Sequence, residues 1–498
     1  MGPDASGAAR RRPPGAPPDP AGPDASGGAR EVVIPLYEKR HEIYPRARVG
    51  ERLGRFARWR WGFVGFTQLI FYGGPWLQWH GRQAVLFHLV ERKFYLFGLV
   101  LWPQDVIYLT ALLVISALSL FLFTAIGGRL WCGYTCPQTV YTEIFLWIER
   151  QIEGDRAKRM ALDRQPPSAR KAARKGLKHA AWIAVALWTG FTFVGYFTPI
   201  RELAGSVVWP GAGASLSPWE SFWILFYGLA TYGNAGWLRE QVCLYMCPYA
   251  RFQSAMFDRD TLIVTYDAAR GEPRGAGRKS RARAQDGLGD CVDCGFCVQV
   301  CPTGIDIRKG LQYECIGCAA CIDACNHVMG KNALPTGLIR YTTTNALAEH
   351  LSPSQVLRHV LRPRVLVYGG LLGAICAGLV VSLVLRVPLK VDVIRDRGTF
   401  AREVDNGQVE NVYRLQVMNT SDAPAQYHLR ADGLPGLAVA SEADIAVPAT
   451  SSQIVILRLR APGANAPQGA SRVTLQVASV GDPATRVQEK TVFFGLRP

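Results

Sequence analysis

The sequence predicts a multi-domain membrane protein: a five-helix α transmembrane domain, a small cysteine-rich α+β insert, and a C-terminal all-β domain. Three observations predict it. Five long apolar segments recur before residue 387, eight cysteines crowd between 291 and 325, and residues 387–498 alternate in short strands. A chain of 498 residues also exceeds what a single core organises.

A bilayer core of about 30 Å takes roughly 20 helical residues. Segments of that kind lie at about 61–79 (WGFVGFTQLIFYGGPWLQW), 105–126 (DVIYLTALLVISALSLFLFTAI), 180–199 (AAWIAVALWTGFTFVGYFTP), 218–237 (PWESFWILFYGLATYGNAGW) and 364–386 (RVLVYGGLLGAICAGLVVSLVLR). The fourth is the weakest, because Glu220 and Asn234 interrupt it. Lys and Arg concentrate at 10–60, 150–178 and 270–283, whereas 80–104 and 200–217 carry few. The positive-inside rule then puts the N-terminus, 127–179 and 238–363 in the cytoplasm of a bacterial inner membrane, and the C-terminus in the periplasm. Five crossings from an inside start end outside, so the topology is self-consistent. The net charge of +17 is therefore charge on loops beside a membrane, and no nucleic-acid partner is expected.

Residues 1–30 repeat GPDASGAAR as GPDASGGAR and are rich in Gly, Pro and Asp. They read as a disordered tail with no apolar face and no cleavable signal, followed by a basic arm at 31–60. At the other end, VYRLQVMN, QYHLRA, SQIVILRLRAP, RVTLQVAS and QEKTVFFG alternate apolar and polar residues between turn residues. This spacing predicts an immunoglobulin-like β-sandwich over 387–498.

Twelve of the thirteen cysteines fall in close groups, the pattern of metal ligands rather than of disulfides. Their thiols must be reduced, which agrees with a cytoplasmic position. The run DCVDCGFCVQVCPTG gives Cys291-x2-Cys294-x2-Cys297-x3-Cys301-Pro302, and ECIGCAACIDACNH gives Cys315-x2-Cys318-x2-Cys321-x3-Cys325. In such pairs of motifs three thiolates of one loop hold a cubane, and the fourth cysteine ligates the other. Cys291, Cys294, Cys297 and Cys325 are thus expected on one [4Fe-4S] cluster, and Cys315, Cys318, Cys321 and Cys301 on a second, in a ferredoxin-like 2×[4Fe-4S] domain over 238–363. Zinc ribbons use paired CxxC and leave the triple pattern unexplained. Asn326 stands where proline is expected after the fourth cysteine; it is not a ligand position.

Two further pairs read CxxxCP: Cys132 and Cys136 before Pro137, and Cys243 and Cys247 before Pro248. Each follows an outside-to-inside span. If helical, each i,i+4 pair shares one face, and the proline suits the first turn of a following helix. Four thiolates at two equivalent helix ends suit a copper ion, as Cu(I), or a third Fe–S cluster, and this is the candidate catalytic site. Cys376 reads as a small packing residue within the fifth span. His80 and His88 read as polar surface, and His428 and Met418 as parts of the sandwich. His327 and Met329, beside Cys325, leave tuning and inert roles open. No phosphate-cradling loop, GxGxxG after a strand or nucleophile elbow occurs, so hydride transfer from a bound nicotinamide is not expected.

The stretches GRLWCGYTCPQTVYTEIF, REQVCLYMCPYARFQSAMFDRDTLIVTYDAARGEPRG and GDCVDCGFCVQVCPTGIDIRKGLQYECIGCAACIDAC, with PWLQWHGRQAV and FGLVLWPQD, make the sequence similar to the CcoG/FixG/RdxA family of cytochrome c oxidase accessory proteins. The resemblance covers roughly residues 31–498. It implies a role in assembling a cbb(3)-type oxidase by reducing Cu(II) to Cu(I) for the oxidase copper site. A cytoplasmic electron donor, oxidase subunits and a copper transporter or chaperone are the implied partners, and a homodimer is compatible with it. Two other functions compete: a quinol-linked polyferredoxin, which the large C-terminal domain and the YDAARGEPRG segment speak against, and a non-enzymatic assembly scaffold whose clusters are structural or sensory.

Overall fold

The computed structural model describes residues 54–208, 215–275, 287–395, 401–404, 407–465 and 469–496. The expected tail and most of the basic arm, through residue 53, lie outside them. Helix α1 (Arg55–Gly73) begins within the expected arm. A distant residue explains the start: the Asp323 carboxylate accepts from the Phe56 and Ala57 N–H groups at 3.2 and 2.9 Å. Those are donors that a helix N-terminus leaves unpaired, and a negative charge suits that end. After Gly73 the chain tightens into a 3₁₀ turn, Gly74–Trp76, with Pro75 at its start. The first expected span therefore ends before residue 79. Short strands follow, β1 (Gln78–Trp79) on β2 (Arg82–Gln83), then an antiparallel meander of β3 (Val85–His88), β4 (Lys93–Leu96) and β5 (Leu99–Leu101) around Leu86, Tyr95 and Val100.

Helix α2 (Val106–Gly127) is followed by α3 (Leu130–Tyr134), α4 (Pro137–Glu153), α5 (Arg156–Arg164) and α6 (Ala169–Val194). After α7 (Ile200–Val208) comes α8 (Pro218–Thr231), which continues as a π-helix, Tyr232–Leu238. Glu220 does not interrupt this helix. It completes a capping box with Ser217, each side chain taking the other's backbone N–H, so the charge sits at the end where it is stabilising. Among the described residues, three helices are long and apolar enough to cross a membrane: Pro103–Gly127, including the turn before α2, Ala169–Val194 and Pro363–Val384. The first and last of these pair through Tyr108 Oη and Ser382 Oγ, 3.1 Å apart, and turn exposed Leu, Ile and Val outward. Such a surface suits hydrocarbon. Helices α6 and α8 cross closely at Gly190, where a Cβ would collide with the Ile224 carbonyl oxygen. Phe145 of α4 stacks on Trp182 of α6 at 5.1 Å. The buried Glu149 and Glu153 beside them form ion pairs with Arg159 at 3.0 Å and Lys178 at 3.0 Å respectively.

The cysteine-rich insert is closed by β6 (Ile263–Tyr266) pairing antiparallel with β7 (Ile339–Thr342). Its core joins Val264, Tyr266, Ile307, Ile322, Met329 and Leu338. It is tied to the membrane helices at one end. The Leu262 N–H donates to the Ile126 carbonyl at 3.0 Å, and the Arg362 guanidinium reaches Asp258 at 3.0 Å and the Ala125 carbonyl at 2.5 Å.

The C-terminal strands are β8 (Leu389–Arg395), β9 (Arg402–Val404), β10 (Gln408–Asn419), β11 (Ala425–Asp432), β12 (Ala438–Val439), β13 (Asp444–Val447), β14 (Ser452–Pro462), β15 (Ala470–Ser479) and β16 (Arg486–Phe494). One sheet runs β12-β14-β10-β8 with β9 also on β10; the other runs β13-β11-β15-β16, and all pairings are antiparallel. Period-two alternation turns Tyr413, Leu415 and Val417 of β10 into one core with Leu429, Leu475 and Val477 of the other sheet, and with Leu457 and Leu459 of β14 alongside.

The buried Asp105 fixes this sandwich to the helices. It accepts from Arg386 at 2.9 Å at the end of the last span, from Lys390 on β8, and from the Trp102 N–H at 3.0 Å. Removing one partner of a buried pair leaves uncompensated charge. Asp105→Asn is expected to destabilise this junction by about 3 kcal/mol, seen as faster proteolysis near residues 385–390; an unchanged digestion pattern would contradict it. Within the sandwich, burial opposes the charge of Glu410, but hydrogen bonds from Arg460 and Arg402 hold its carboxyl below the ordinary range. A depressed carboxylate stabilises above its unfolded pKa, and that contribution is lost as pH falls through the folded value. Acid unfolding of the sandwich should therefore lose part of its pH dependence in Glu410→Gln, measured by far-ultraviolet circular dichroism between pH 7 and 2.

Candidate metal centres

Both cysteine loops of the insert bend in the same way. Asp293 and Gly295 in the first, and Gly317 and Ala319 in the second, adopt left-handed backbone conformations with φ of +50°, +66°, +67° and +59°. Alternation of this kind turns successive N–H groups toward one concavity, a setting that favours anionic centres. Gly295 and Ala319 then precede the short helices Phe296–Gln299 and Ala320–Lys331. Cys291, Cys294, Cys297 and Cys325 line one pocket together. Cys301, Cys315, Cys318 and Cys321 line a second, with Cys297 between the two. Each thus brings together three cysteines of one motif and the fourth of the other. The donor chemistry and the cavities fit cubane clusters.

Cys294 is exposed, whereas Cys291, Cys297 and Cys318 are buried. Burial pushes the Cys315 thiol up to about 12 and the Cys318 and Cys297 thiols up to about 11. Without metal these groups are neutral, so metal binding must displace their protons. Asn326 has a structural explanation. The helix carrying Cys325 continues to Lys331, where a proline at 326 would remove a helical N–H, and the Asn326 side chain accepts from the Gly337 N–H at 2.9 Å. After Cys301 no helix continues, and Pro302 is tolerated. The segment YDAARGEPRG braces the first loop: the Cys291 N–H donates to the Gly271 carbonyl, and Arg270 pairs with Asp290 at 2.6 Å.

The CxxxCP pairs do not each share one helical face, as expected from sequence. Cys132 lies in α3, but Cys136 has left the helix with ψ 129°. Cys243 lies in a π-helical turn, Val242–Met246, and Cys247 closes it with ψ 110°. The cause is the proline after each pair, whose ring drives the preceding residue out of the α region. Pro137 and Pro248 then begin α4 and α9 (Pro248–Ala255), as expected. The pairs are nevertheless brought together. Burial first of all pushes the Cys243 thiol up to about 12, and Cys136, Cys132, Glu240 and Cys247 are near enough to raise it further; burial likewise pushes Cys132 up to about 12. Gln138, next to the first CP, donates to the Asn234 and Arg239 carbonyls at 2.9 and 2.8 Å, tying the first motif to the π-helical approach to the second. Gln253 of α9 accepts from Cys132 Sγ at 3.5 Å and donates to the Gly128 carbonyl at 3.0 Å. Among the described residues, no three His, Cys, Asp or Glu side chains converge tightly enough for one ion.

The thiol site touches the second cysteine loop. A Cβ on Gly133 would meet the Gly317 carbonyl oxygen at 2.7 Å and the Cys318 Cα at 2.9 Å. Arg60 donates to the Cys318 carbonyl at 3.3 Å, and Tyr341 to the Gly317 carbonyl at 2.5 Å. A cleft between the two sites is lined by Gln138, Arg239, Cys243, Pro302, Ile316 and Cys318. Sequence reasoning missed Arg60, Arg129, Gln138 and Gln253; for Arg129 and Gln138 the only signal was adjacency to the first CxxxCP.

The remaining candidates stand apart. His80 pairs with Asp422 at 3.2 Å, His88 accepts from the Glu91 N–H at 3.1 Å, and His428 pairs with Asp444 at 2.6 Å. Met418 is fully buried in β10, and Met329 packs in the core of the insert. His327 is half-buried on the helix that carries Cys325, and Cys376 is half-buried in the last span.

Residues 238–344 match the 4Fe-4S dicluster domain family, 109–153 a 4Fe-4S binding domain, and 379–496 the family described as an IG-like fold at the C-terminal of FixG, putative oxidoreductase. The chain is 41% identical to the nitrogen fixation protein FixG of Rhizobium meliloti (strain 1021) over 82% of each chain. It is 36% identical to protein RdxA of Cereibacter sphaeroides over 93% of this chain and 99% of the relative, and 37% identical to protein RdxB of the same organism over 92% and 97%. With its paired cysteine loops and apolar helices, it is an iron–sulfur electron-transfer protein of membranes. The chain belongs to the FixG/RdxA family.

Proposed function

We propose that this protein reduces Cu(II) to Cu(I) during assembly of a cbb(3)-type cytochrome c oxidase, with the CxxxCP thiols as the site of transfer. The observation that carries the reading is the backbone contact between Gly133, beside Cys132, and the Gly317–Cys318 loop. Cys291, Cys294, Cys297 and Cys325 would hold one [4Fe-4S] cluster, and Cys301, Cys315, Cys318 and Cys321 the other. Bound clusters supply electrons singly, which matches the one electron that each cupric ion takes. The chain's own residues set the order of the sites. Cys294 faces solvent, where a cytoplasmic one-electron donor can approach, while Cys318 abuts the thiol site.

The resident centre at Cys132, Cys136, Cys243 and Cys247 is a third cluster in this reading, and copper is its substrate. Support comes from the 4Fe-4S binding domain matched at 109–153, in which Cys132 and Cys136 are the sole cysteines. Two ligands are too few for a cubane, and Cys243 and Cys247 are the neighbouring thiols. Soft sulfur at this site also favours the cuprous product. Oxidase subunits and a copper chaperone would receive that product.

The wider proposal keeps five spans, with α1 and α8 joining the three longer apolar helices, the insert in the cytoplasm and the sandwich in the periplasm of the inner membrane. The outward-facing Trp219, Phe222 and Leu225 of α8 and Phe66, Leu69 and Ile70 of α1 support it. Reporter fusions should place the C-terminus outside and residue 345 inside; the same side for both would contradict five spans.

Replacing Cys243 and Cys247 together by Ser is expected to remove one iron–sulfur signal and lower cupric reduction at least about tenfold, a loss of about 1.4 kcal/mol in transition-state stabilisation, while both clusters of the insert persist. Anaerobic EPR with iron, copper and sulfide analysis reads all of these. Intact metal content and undiminished reduction would sink the assignment.

A further inference from the structure

Arg129 lies between the two redox sites and belongs to neither ligand set. It is 7% exposed. Its guanidinium donates to the Tyr313 carbonyl and, at 3.4 Å, to the Cys315 carbonyl; on its other arm it donates to the Ala250 carbonyl at 2.6 Å. One side chain therefore grips the second cysteine loop and helix α9, which carries Gln253 to Cys132. Among the described residues no carboxylate pairs with it. Arg60 makes the contrast: it binds the Cys318 carbonyl from the other side, but Glu143 lies 3.4 Å from it as a counter-ion.

A buried cation held by neutral carbonyls alone is costly, and breaking even with desolvation requires negative charge nearby. Thiolates around iron are that charge. The Arg129 charge acts on the Cys132 thiol and on the Cys315 thiol alike. We propose that Arg129 is a shared counter-charge for the two neighbouring redox sites, raising the reduction potential of the cluster held by Cys301, Cys315, Cys318 and Cys321 and of the centre at the CxxxCP thiols. Adding an electron adds negative charge, and a fixed cation in a low-dielectric setting favours that state. The cluster of Cys291, Cys294, Cys297 and Cys325, whose loop Arg129 does not touch, gains less. Electrons entering near the exposed Cys294 are thereby biased toward the membrane thiols. Arg129 acts as a positioning residue and touches no substrate.

The inference rests on the assignment of redox centres above. It is tested by EPR-monitored redox titration of the full-length, cluster-loaded protein and its Arg129→Gln and Arg129→Lys variants. In Arg129→Gln the one-electron equilibrium of the Cys301/Cys315/Cys318/Cys321 cluster should shift toward the oxidised form by about tenfold, equivalent to about 59 mV. The other insert cluster should shift by clearly less, and Arg129→Lys, which retains the charge but not the fork, should restore most of the shift. Unchanged potentials in Arg129→Gln overturn the proposal. Should Arg129→Gln not assemble the cluster, Arg129→Lys decides: a wild-type potential supports the counter-charge, and a potential lowered with the charge still present overturns it. A wild-type protein with only two clusters refutes the third centre, while the shift at the insert cluster still reports on Arg129.

Discussion

The arrangement depends on one close approach. Gly133 and Gly317 meet with no room for a Cβ, and that contact sets a membrane-helix motif against a ferredoxin loop. Everything that locates the two sites relative to each other converges there. Arg60 and Tyr341 bind the Cys318 and Gly317 carbonyls, Arg129 reaches the Cys315 carbonyl, and Asp323, from the same loop's helix, caps α1. The helix start and the cysteine loop thus satisfy each other's backbone groups, which neither does alone. A domain boundary drawn between membrane part and insert would cut through these bonds.

A second constraint works at the opposite end of the helices. Asp105 is shared by the lead-in to α2, the end of the last span and the first strand of the sandwich. Arg82 at 2.9 Å and His80 at 3.2 Å bind Asp422 in the same way, from the loop after α1. Ion pairs of this sort contribute little when exposed, but Asp105 is buried and its loss leaves two cations uncompensated. The sandwich is consequently attached at several points, not by its linker alone.

Much of this was legible in the sequence for definite reasons. The period-two alternation of VYRLQVMN and SQIVILRLRAP depends only on local side-chain direction, and those stretches form β10 and β14. The eight-cysteine spacing needs two interleaved loops, and the two cavities group the cysteines in that interleaved way. What could not be read is long-range. The cap of α1 comes from residue 323, and the role of Glu220 depends on Ser217 being an N-cap, not on mean apolarity. The CxxxC pairs share no helical face because the proline after each pair drives its predecessor out of the α region, a backbone effect that i,i+4 spacing does not carry. The one local mark of Arg129 is its place beside the first CxxxCP; only the fold reveals a buried guanidinium with no carboxylate partner among the described residues.

The central claim is that the CxxxCP thiols hold a redox centre within magnetic reach of the second insert cluster. Pulsed EPR on the fully reduced protein tests it most directly. The account predicts a spin–spin interaction between the Cys301/Cys315/Cys318/Cys321 cluster and a third paramagnet, lost when Cys132 and Cys136 are both changed to Ser. A spectrum of two mutually coupled clusters, with the same line shape before and after that change, would contradict it.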